Sequence, residues 1–226
     1  MPAKYTRLSK KRIHEILRCF YADLGATQAA KLTGINRNTV NDWYCTFREA
    51  IADFQEEQVR KSSGSFEIDE SYFGGPRKKL HVGDRRKRGR GAENKVPVFG
   101  IKKRSDGTVY TKIIENVEKS TLLPIIKRII KHKSVIYTDG WTSYDGLVFD
   151  GYKHYRINHS KQYSNRRGTH INGIENFWGF AKQRLAKFHG LSRKNFYFHL
   201  KECEFRYNKK HDMMKILKKV INSLLV

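Results

Sequence analysis

The spacing of apolar residues changes once along this chain of 226 residues, and that change limits the folds open to it. Up to about residue 58, apolar side chains recur every three or four positions, which is typical of amphipathic helices. The polar segment VRKSSG at 59–64 has the composition of a flexible linker. After it, short β-rich runs and helical segments follow one another, which favours an α/β sheet of mixed direction. The sequence therefore predicts a small all-α domain and then a larger α/β domain.

The N-terminal domain, residues 1–58, has the pattern of a helix-turn-helix. Gly34 suits a left-handed turn between two helices, and Asn36 can cap the second of them. Side chains that can reach base edges or phosphates then lie on the exposed side of that helix: Arg37, Asn38 and Asn41. We interpret the domain as DNA-binding, and the alternative is a plain three-helix packing unit.

The second domain is predicted to run from 65 to 210 and to hold four strands and several helices. Asp106-Gly107 is a hairpin signal between the second and third strands. A helix with one apolar face follows the third strand, and residues from about 172 onward have helical patterns. The predicted strands cover residues 65–73, 96–103, 108–116 and 134–139. Residues 211–226 form a separate C-terminal amphipathic helix in this interpretation.

Positive charge is in large excess, with 46 Lys and Arg against 22 Asp and Glu and a net charge of +24. Such an excess repels itself and indicates a polyanionic partner, with nucleic acid the first candidate. Residues 76–95 are the most basic segment, since nine of these twenty residues are Lys or Arg. We expect a loop whose cations contact DNA phosphates, the alternative being a solvated loop. Its central cations are Arg85, Arg86, Lys87, Arg88 and Arg90.

Several classes of protein are disfavoured by what the sequence lacks. No apolar run approaches the roughly 20 residues that span a bilayer, and the first residues have no apolar signal core. Cys19, Cys45 and Cys203 are far apart and form no Cys-x-x-Cys pair. We therefore expect a cytoplasmic protein with neither disulfides nor a zinc site.

Three acids stand at positions where a sheet and a helix could bring them together. Asp69 and Asp139 are expected at strand ends, and Glu175 lies near the start of a helix. Three converging carboxylates would repel one another, and Mg²⁺ or Mn²⁺ would relieve that repulsion. Each acid also has an ordinary explanation: an ion pair, a turn before glycine, or a helix-start acid favoured by the helix dipole. Glu70 competes with Asp69, although strand alternation puts the two on opposite faces.

Three sequence blocks around these acids resemble a known family. The blocks are IDESYFGG, YTDGWTSY and HINGIENFWGFAKQRL, with 35 residues between Asp139 and Glu175. Together with the predicted helix-turn-helix, they are similar to the DDE transposases of bacterial insertion sequences, in the subgroup related to the eukaryotic Merlin transposons. The resemblance covers about residues 65–210. Some longer relatives carry an N-terminal cysteine-rich zinc module, which is missing here, and some have Asn where this chain has Glu175.

The resemblance implies a fold and a chemistry. It implies an RNase H-like catalytic domain in which Asp69, Asp139 and Glu175 bind two Mg²⁺ ions, with Mn²⁺ as a substitute and without zinc. It implies cleavage at the ends of the element and strand transfer into target DNA. It also implies a homodimer or larger multimer on double-stranded DNA, in the bacterial cytoplasm at the nucleoid. Lys182 lies on the same side of its helix as Glu175, where we expect a phosphate contact.

Two other functions remain open from the residues. An RNase H-like nuclease such as a resolvase would cut DNA without joining it. A helix-turn-helix transcriptional regulator would need neither a metal nor the three acids.

Overall fold

The computed structural model describes residues 8–74, 95–139, 151–157, 171–188 and 191–223. They belong to two compact units, one made of Met1–Val59 with Lys194–Val226 and the other of Arg60–Arg193. In chain order, the helices are α1 (Lys10–Tyr21), α2 (Ala26–Thr33), α3 (Arg37–Gln58), α4 (Lys119–Ile129), α5 (Asn172–Ala186), α6 (Arg193–Asn208) and α7 (Met213–Asn222). The strands are β1 (Ser65–Phe73), β2 (Val96–Lys103), β3 (Val109–Ile113), β4 (Val135–Asp139) and β5 (Lys153–Ile157). None of the helices within these ranges combines the length and the apolar character needed to cross a bilayer.

The first three helices and the turn between α2 and α3 form as the sequence predicts. Gly34 ends α2 with φ of 66°, a left-handed conformation that glycine adopts without steric cost. The side chain of Asn36 then accepts a hydrogen bond from the backbone N–H of Asn38 and caps α3. Val40, Tyr44 and Phe47 are buried along one side of α3. The helices and the turn are confirmed, while a DNA-binding role for this unit stays a prediction.

Helix α6 joins the helical unit through buried charges. Glu202 is fully buried and accepts hydrogen bonds from Arg48 of α3 at 2.8 Å and from Arg206 at 2.7 Å. Buried charges are costly unless they are paired, so these contacts tie α6 to α3. The sequence-based division at residue 210 separates α6 from α7, whereas both lie in one compact unit here. The domain boundaries stay predictions.

The second unit is built on one five-stranded sheet in the order β3-β2-β1-β4-β5. β1, β2 and β3 pair antiparallel, whereas β4 runs parallel to both β1 and β5. The hairpin between β2 and β3 contains Gly107 at φ of 72°, and Asp106 accepts from the backbone N–H of Thr108. This strand order and direction are those of an RNase H-like sheet, so the predicted mixed α/β fold is confirmed.

Strand β5 is not among the four strands that the sequence predicts. Its five residues, KHYRI, are mostly charged or polar, and only Ile157 is buried. An edge strand with one pairing partner needs little apolar surface, so it carries almost no hydrophobic pattern. Its pairing with β4 places β4 inside the sheet and leaves β5 at the edge.

Helix α5 packs against β1 and β2 with an unusually close approach at Gly100. A Cβ atom built on Gly100 would lie 2.5 Å from the Trp178 ring and 3.0 Å from Ile174 Cδ1. Real Cβ atoms do not approach other atoms so closely, and the indole is buried. The missing side chain of Gly100 therefore sets how deeply α5 sits on the sheet.

We expect Gly100→Ala to lower the free energy of unfolding by about 1–3 kcal/mol, because the new methyl group overpacks the contact with Trp178. Gly179→Ala is the matched control, since Gly179 lies on the exposed side of α5 with no atom within 4 Å of its Cβ position. That change should raise the same free energy by up to about 1 kcal/mol through helix propensity. Urea denaturation of both variants gives the measurement, and equal effects would contradict the close-packing argument.

Candidate active site

The pairing of β1 with β4 places two predicted acids side by side. Ser65, Phe66 and Glu67 pair in parallel with Val135, Ile136 and Tyr137. Continuing that register sets Asp69 level with Asp139, on strands about 5 Å apart. Both side chains lie on the same face because each is two residues beyond a paired position. Asp69 is in the middle of β1 rather than at its end, as the sequence suggested, since the strand continues to Phe73.

Trp178 of α5 holds the Asp69 carboxylate. Its indole Nε1–H donates to Asp69 Oδ2 at 3.0 Å. The indole is only 4% exposed, and a buried indole N–H needs an acceptor. The Trp178 ring also meets the ring of Phe73 edge-on, with centroids 5.9 Å apart. This contact shows that α5 covers the face of β1 on which Asp69 lies.

The charge state of Asp69 reflects its neighbours. Burial is the main effect that raises the pKa of Asp69 to about 6, and the negative charge of Asp139 is the next. Glu175 adds a smaller effect in the same direction. Hydrogen bonds from the Glu70 backbone and from Trp178 act the other way, since they stabilise the ionised form. Asp139 and Glu175 therefore both act on the charge state of Asp69, and Asp139 has the larger effect.

Glu70 is a fourth acid near this pair. Burial, followed by the charges of Asp69 and Asp139, raises the pKa of Glu70 to about 8. Its Oε1 atom is buried and has no hydrogen-bond partner among the residues described. Strand alternation directs its side chain to the face of Phe66 and Ile68, away from α5. Glu70 therefore adds to the local excess of carboxylates from the opposite side of the sheet.

Asp139 and Glu175 differ in their exposure. Asp139 Oδ1, at the end of β4, is buried and lacks a hydrogen-bond partner within the described part of the chain. Glu175 lies in the first turn of α5 on its exposed side, together with Gly179 and Lys182. In the ranges that the structure describes, no group of three His, Cys, Asp or Glu is close enough to hold a metal ion. The structure thus brings Asp69 and Asp139 together, while Glu175 acts on Asp69 more weakly from the first turn of α5.

The side chains at this position have the chemistry that Mg²⁺ and Mn²⁺ require. All of the available ligands are carboxylate oxygens, which hard divalent cations prefer. The unpaired Asp139 oxygen is an acceptor that a cation would satisfy. The mutual repulsion of Asp69 and Asp139 is the electrostatic condition that a bound cation relieves. Asp69 and Asp139 therefore fit a divalent cation, with Glu175 as the nearest further carboxylate on α5.

The predicted DNA-contacting residues fall into three groups. Lys182 is exposed on α5, with Nζ 6.0 Å from the centroid of the Phe73 ring. The cations of the basic loop, Arg85, Arg86, Lys87, Arg88 and Arg90, lie outside the described residues. The polar side chains at the start of α3 are all exposed: Arg37, Asn38 and Asn41. Contact with DNA stays a prediction for every one of them.

Two residues that contribute to the site were not predicted from the sequence. Trp178 is not among the site residues expected from the sequence, yet it donates a hydrogen bond to Asp69. Glu67 was not considered, although it is 2% exposed and accepts hydrogen bonds from Arg104 and from the Ile174 backbone. The available signal was a carboxylate between the apolar residues Phe66 and Ile68, because such a group requires partners.

Comparison with known proteins identifies the family. The model of the ISXO2-like transposase domain matches residues 61–208, about two thirds of the chain. An uncharacterized transposase-like protein of Haemophilus influenzae (strain ATCC 51907 / DSM 11121 / KW20 / Rd) is 43% identical over 120 residues, which are 52% of this chain and 97% of that protein.

Two integrase catalytic core domains are among the solved structures to which the chain is similar. The catalytic core domain of BIV integrase has a TM-score of 0.42 and 13% identity, and the match covers 72% of this chain and 98% of that one. The HTLV-2 integrase catalytic core domain, in complex with magnesium in a dimeric form, has a TM-score of 0.38 and 12% identity, covering 66% and 87%. These scores are low, so the fold assignment rests on strand order and direction. From the family match over residues 61–208 and the 43% identical relative, the chain belongs to the ISXO2-like transposase family.

Proposed function

We propose that this protein binds the ends of its insertion sequence and catalyses both DNA cleavage and strand transfer there. The observation that carries the proposal is the placement of Asp69 beside Asp139 on the sheet face covered by α5, the helix that bears Glu175. A buried carboxylate whose pKa is raised by a neighbouring carboxylate is a poor structural element and a good candidate for binding a cation. Membership of a transposase family supplies the DNA substrate.

Asp69 and Asp139 are the residues that would hold two Mg²⁺ or Mn²⁺ ions, with Glu175 as a ligand to one of them. Bound divalent ions would supply activation of the attacking oxygen and stabilisation of the leaving one. Trp178 donates its indole N–H to Asp69 Oδ2, which orients the carboxylate, and the remaining lone pairs of the carboxylate could bind a cation. The proposed site thus has one carboxylate held by a buried donor and a neighbour, Asp139, whose Oδ1 atom is buried and has no hydrogen-bond partner among the described residues.

Two displacements at phosphorus make up the proposed reaction. In the first, water attacks the phosphodiester at the end of the element, and the bond to the 3′ oxygen breaks, which leaves a free 3′-hydroxyl. In the second, that hydroxyl attacks a phosphodiester of the target strand and the 3′ oxygen of the target leaves. Lys182, on the exposed side of α5 with Glu175, would contact a phosphate of the bound strand.

The proposed partners are double-stranded DNA and further copies of this chain. Arg37, Asn38 and Asn41 are exposed at the start of α3, where a recognition helix presents its side chains to the major groove. The basic residues 76–95 would add contacts to phosphates. Joining two ends of one element requires two active sites, which favours a homodimer or a larger multimer. We place the protein at the bacterial nucleoid in the cytoplasm, where its DNA substrate lies.

Removal of any one acid should abolish catalysis and spare DNA binding. We expect Asp69→Asn, Asp139→Asn and Glu175→Gln each to lower cleavage and joining by at least about a hundredfold, because each removes a charge aimed at the reacting centre. Labelled DNA carrying the terminal repeats of the element, incubated with Mg²⁺, provides the assay, and gel shifts measure binding.

Asp106→Asn is the matched control for these variants, since Asp106 is an exposed acid in the β2–β3 hairpin. Full joining activity in Asp69→Asn would contradict the assignment of the acids. Cleavage without joining in the unmodified protein would favour a nuclease, and binding without cleavage would favour a regulator.

Stability should depend on pH through Asp69 and Glu70 when divalent cations are removed with EDTA. Burial and neighbouring charge raise the pKa of Asp69 to about 6 and that of Glu70 to about 8. Free carboxyls ionise above about pH 4, so above that pH the folded protein binds more protons than the unfolded chain. The contribution of Asp69 and Glu70 to the free energy of unfolding is therefore greatest below pH 4. It is lost as the pH rises through 6 for Asp69 and through 8 for Glu70.

Urea midpoints measured between pH 4 and 9 test this dependence. Asp69→Asn should match the unmodified protein near pH 4 and exceed its stability above pH 6, and Glu70→Gln should exceed it above pH 8. Millimolar Mg²⁺ should stabilise the unmodified protein at pH 8 and leave Asp69→Asn nearly unchanged. The predicted direction would be contradicted if the unmodified protein in EDTA became more stable from pH 4 to 8 and Asp69→Asn did not.

DNA affinity should fall steeply with salt, because binding releases counterions from phosphates. A plot of log affinity against log salt should be linear, and Arg37→Met should reduce its slope by about 1 if Arg37 contacts one phosphate. Lys215→Met, at an exposed position on α7, removes the same charge from another helix and serves as the control. Fluorescence anisotropy gives the affinities. A slope that is unchanged in Arg37→Met would exclude α3 from the phosphate contacts.

A further inference from the structure

Glu67 connects the sheet to the first turn of α5. Its Oε2 atom accepts a hydrogen bond from the backbone N–H of Ile174 at 2.9 Å, and its Oε1 atom accepts one from Arg104 Nε at 2.9 Å. The side chain is buried, and both of its oxygens are occupied by donors. Glu67 is thus an anion bound to the N-terminal end of a helix, where backbone N–H groups and the helix dipole favour negative charge.

Helix α5 has no cap of its own at this end. Ile171 occupies the cap position, and its side chain cannot accept a hydrogen bond. The Ile174 N–H also donates to the Ile171 carbonyl oxygen at 3.1 Å, so its hydrogen bond is bifurcated. The bond to Glu67 is the shorter of the two. The carboxylate of β1 therefore does for α5 what a Ser or Asp at the cap position does for an ordinary helix.

A second contact secures the same turn. Lys102 pairs with Glu67 across β1 and β2, and its Nζ donates to the Gly173 carbonyl oxygen at 3.1 Å. A Cβ atom on Gly173 would lie 2.6 Å from Glu67 Oε2 and 3.1 Å from Lys102 Nζ. Gly173 therefore lets the helix start close over these two side chains, as Gly100 lets α5 settle onto β2 further along.

Glu67 is itself held from the sheet side. The guanidinium carbon of Arg104 lies 3.7 Å from the centroid of the Tyr137 ring, which belongs to β4. Tyr137 is two residues before Asp139 on the same strand and face. The group formed by Glu67, Arg104 and Tyr137 therefore runs from the strand that bears Asp139 to the turn that bears Glu175.

We propose that Glu67 is a positioning residue that holds the first turn of α5, and with it Glu175, in register with Asp69 and Asp139. This inference rests on the proposed function of those three acids. Glu67 touches no substrate in this view and acts only through the backbone of residues 173 and 174. Glu175 is the next residue after Ile174, so loosening that N–H contact frees the third carboxylate while Trp178 still holds Asp69.

Hydrogen–deuterium exchange of a peptide covering residues 171–178 gives a readout that is independent of catalysis. We expect Glu67→Gln to exchange about tenfold faster there, since a charge-assisted hydrogen bond at the helix start is lost. Gly173→Ala should act in the same direction because its methyl group displaces the carboxylate. Helix propensity alone predicts the opposite for Gly173→Ala, because alanine favours helix over glycine. Slower exchange in Gly173→Ala would therefore overturn the proposal.

Mn²⁺ binding followed by electron paramagnetic resonance tests the link to the acids. Glu67→Gln and Gly173→Ala should weaken Mn²⁺ binding several-fold, and Glu175→Gln should weaken it at least as much. Ile101→Val is the matched control, because Ile101 is buried on the face of β2 opposite α5 and its loss of a methylene destabilises the same sheet. Ile101→Val should leave Mn²⁺ binding unchanged. It should also not speed exchange at 171–178 more than exchange in peptides from the sheet.

The outcomes separate this inference from the proposed function. Weak Mn²⁺ binding in Glu175→Gln with unchanged binding and exchange in Glu67→Gln would overturn the inference alone. Absence of Mn²⁺ binding in the unmodified protein would count against the proposed metal site, and the exchange result would still decide whether Glu67 holds the helix.

Discussion

The parallel pairing of β1 with β4 is the constraint on which the α/β unit depends. One register sets Glu67 beside Tyr137 and, two residues on, Asp69 level with Asp139. A slip of one residue would turn either acid to the opposite face of the sheet, because side chains alternate with a period of two. Burial on both faces of β1 opposes such a slip, since Phe66 and Ile68 fill one face while α5 covers the other. The acid pair is thus a consequence of how the sheet core packs.

Helix α5 is attached to this sheet by polar contacts as well as by apolar ones. Glu67 binds its first turn and Trp178 binds Asp69 one turn later, so two carboxylates of β1 on one face each accept a donor from the helix. Apolar packing alone would allow α5 to slide or rotate, whereas hydrogen bonds to buried acceptors require one position. The close approaches at Gly100 and Gly173 bring α5 near enough to the sheet for these hydrogen bonds to form.

The regular elements were predictable from the sequence, and the tertiary polar contacts were not. The limits of β1 and β2 follow from alternating apolar residues between turn signals, and the turn at Gly34 follows from its backbone requirement. Strand β5 escaped prediction because KHYRI carries no apolar pattern, and α6 gave no sign of joining the N-terminal helices because its buried Glu202 finds Arg48 about 150 positions earlier in the chain. Such pairings between distant residues depend on how the chain packs, and they cannot be predicted from the pattern of a single sequence.

Glu67 and Asp69 show why an acid's partners indicate its role better than its position does. Both lie on the same face of β1 in a chain with a net charge of +24, and both are largely buried. Glu67 has a donor on each oxygen, including an arginine, so it needs nothing further to be stable. Asp69 has the indole and a backbone N–H as donors but faces Asp139 instead of a cation of the chain. In a protein with so many lysines and arginines, Asp69 and Asp139 form an acid pair that no described cation of the chain neutralises, and this is the observation behind the cation site that we propose.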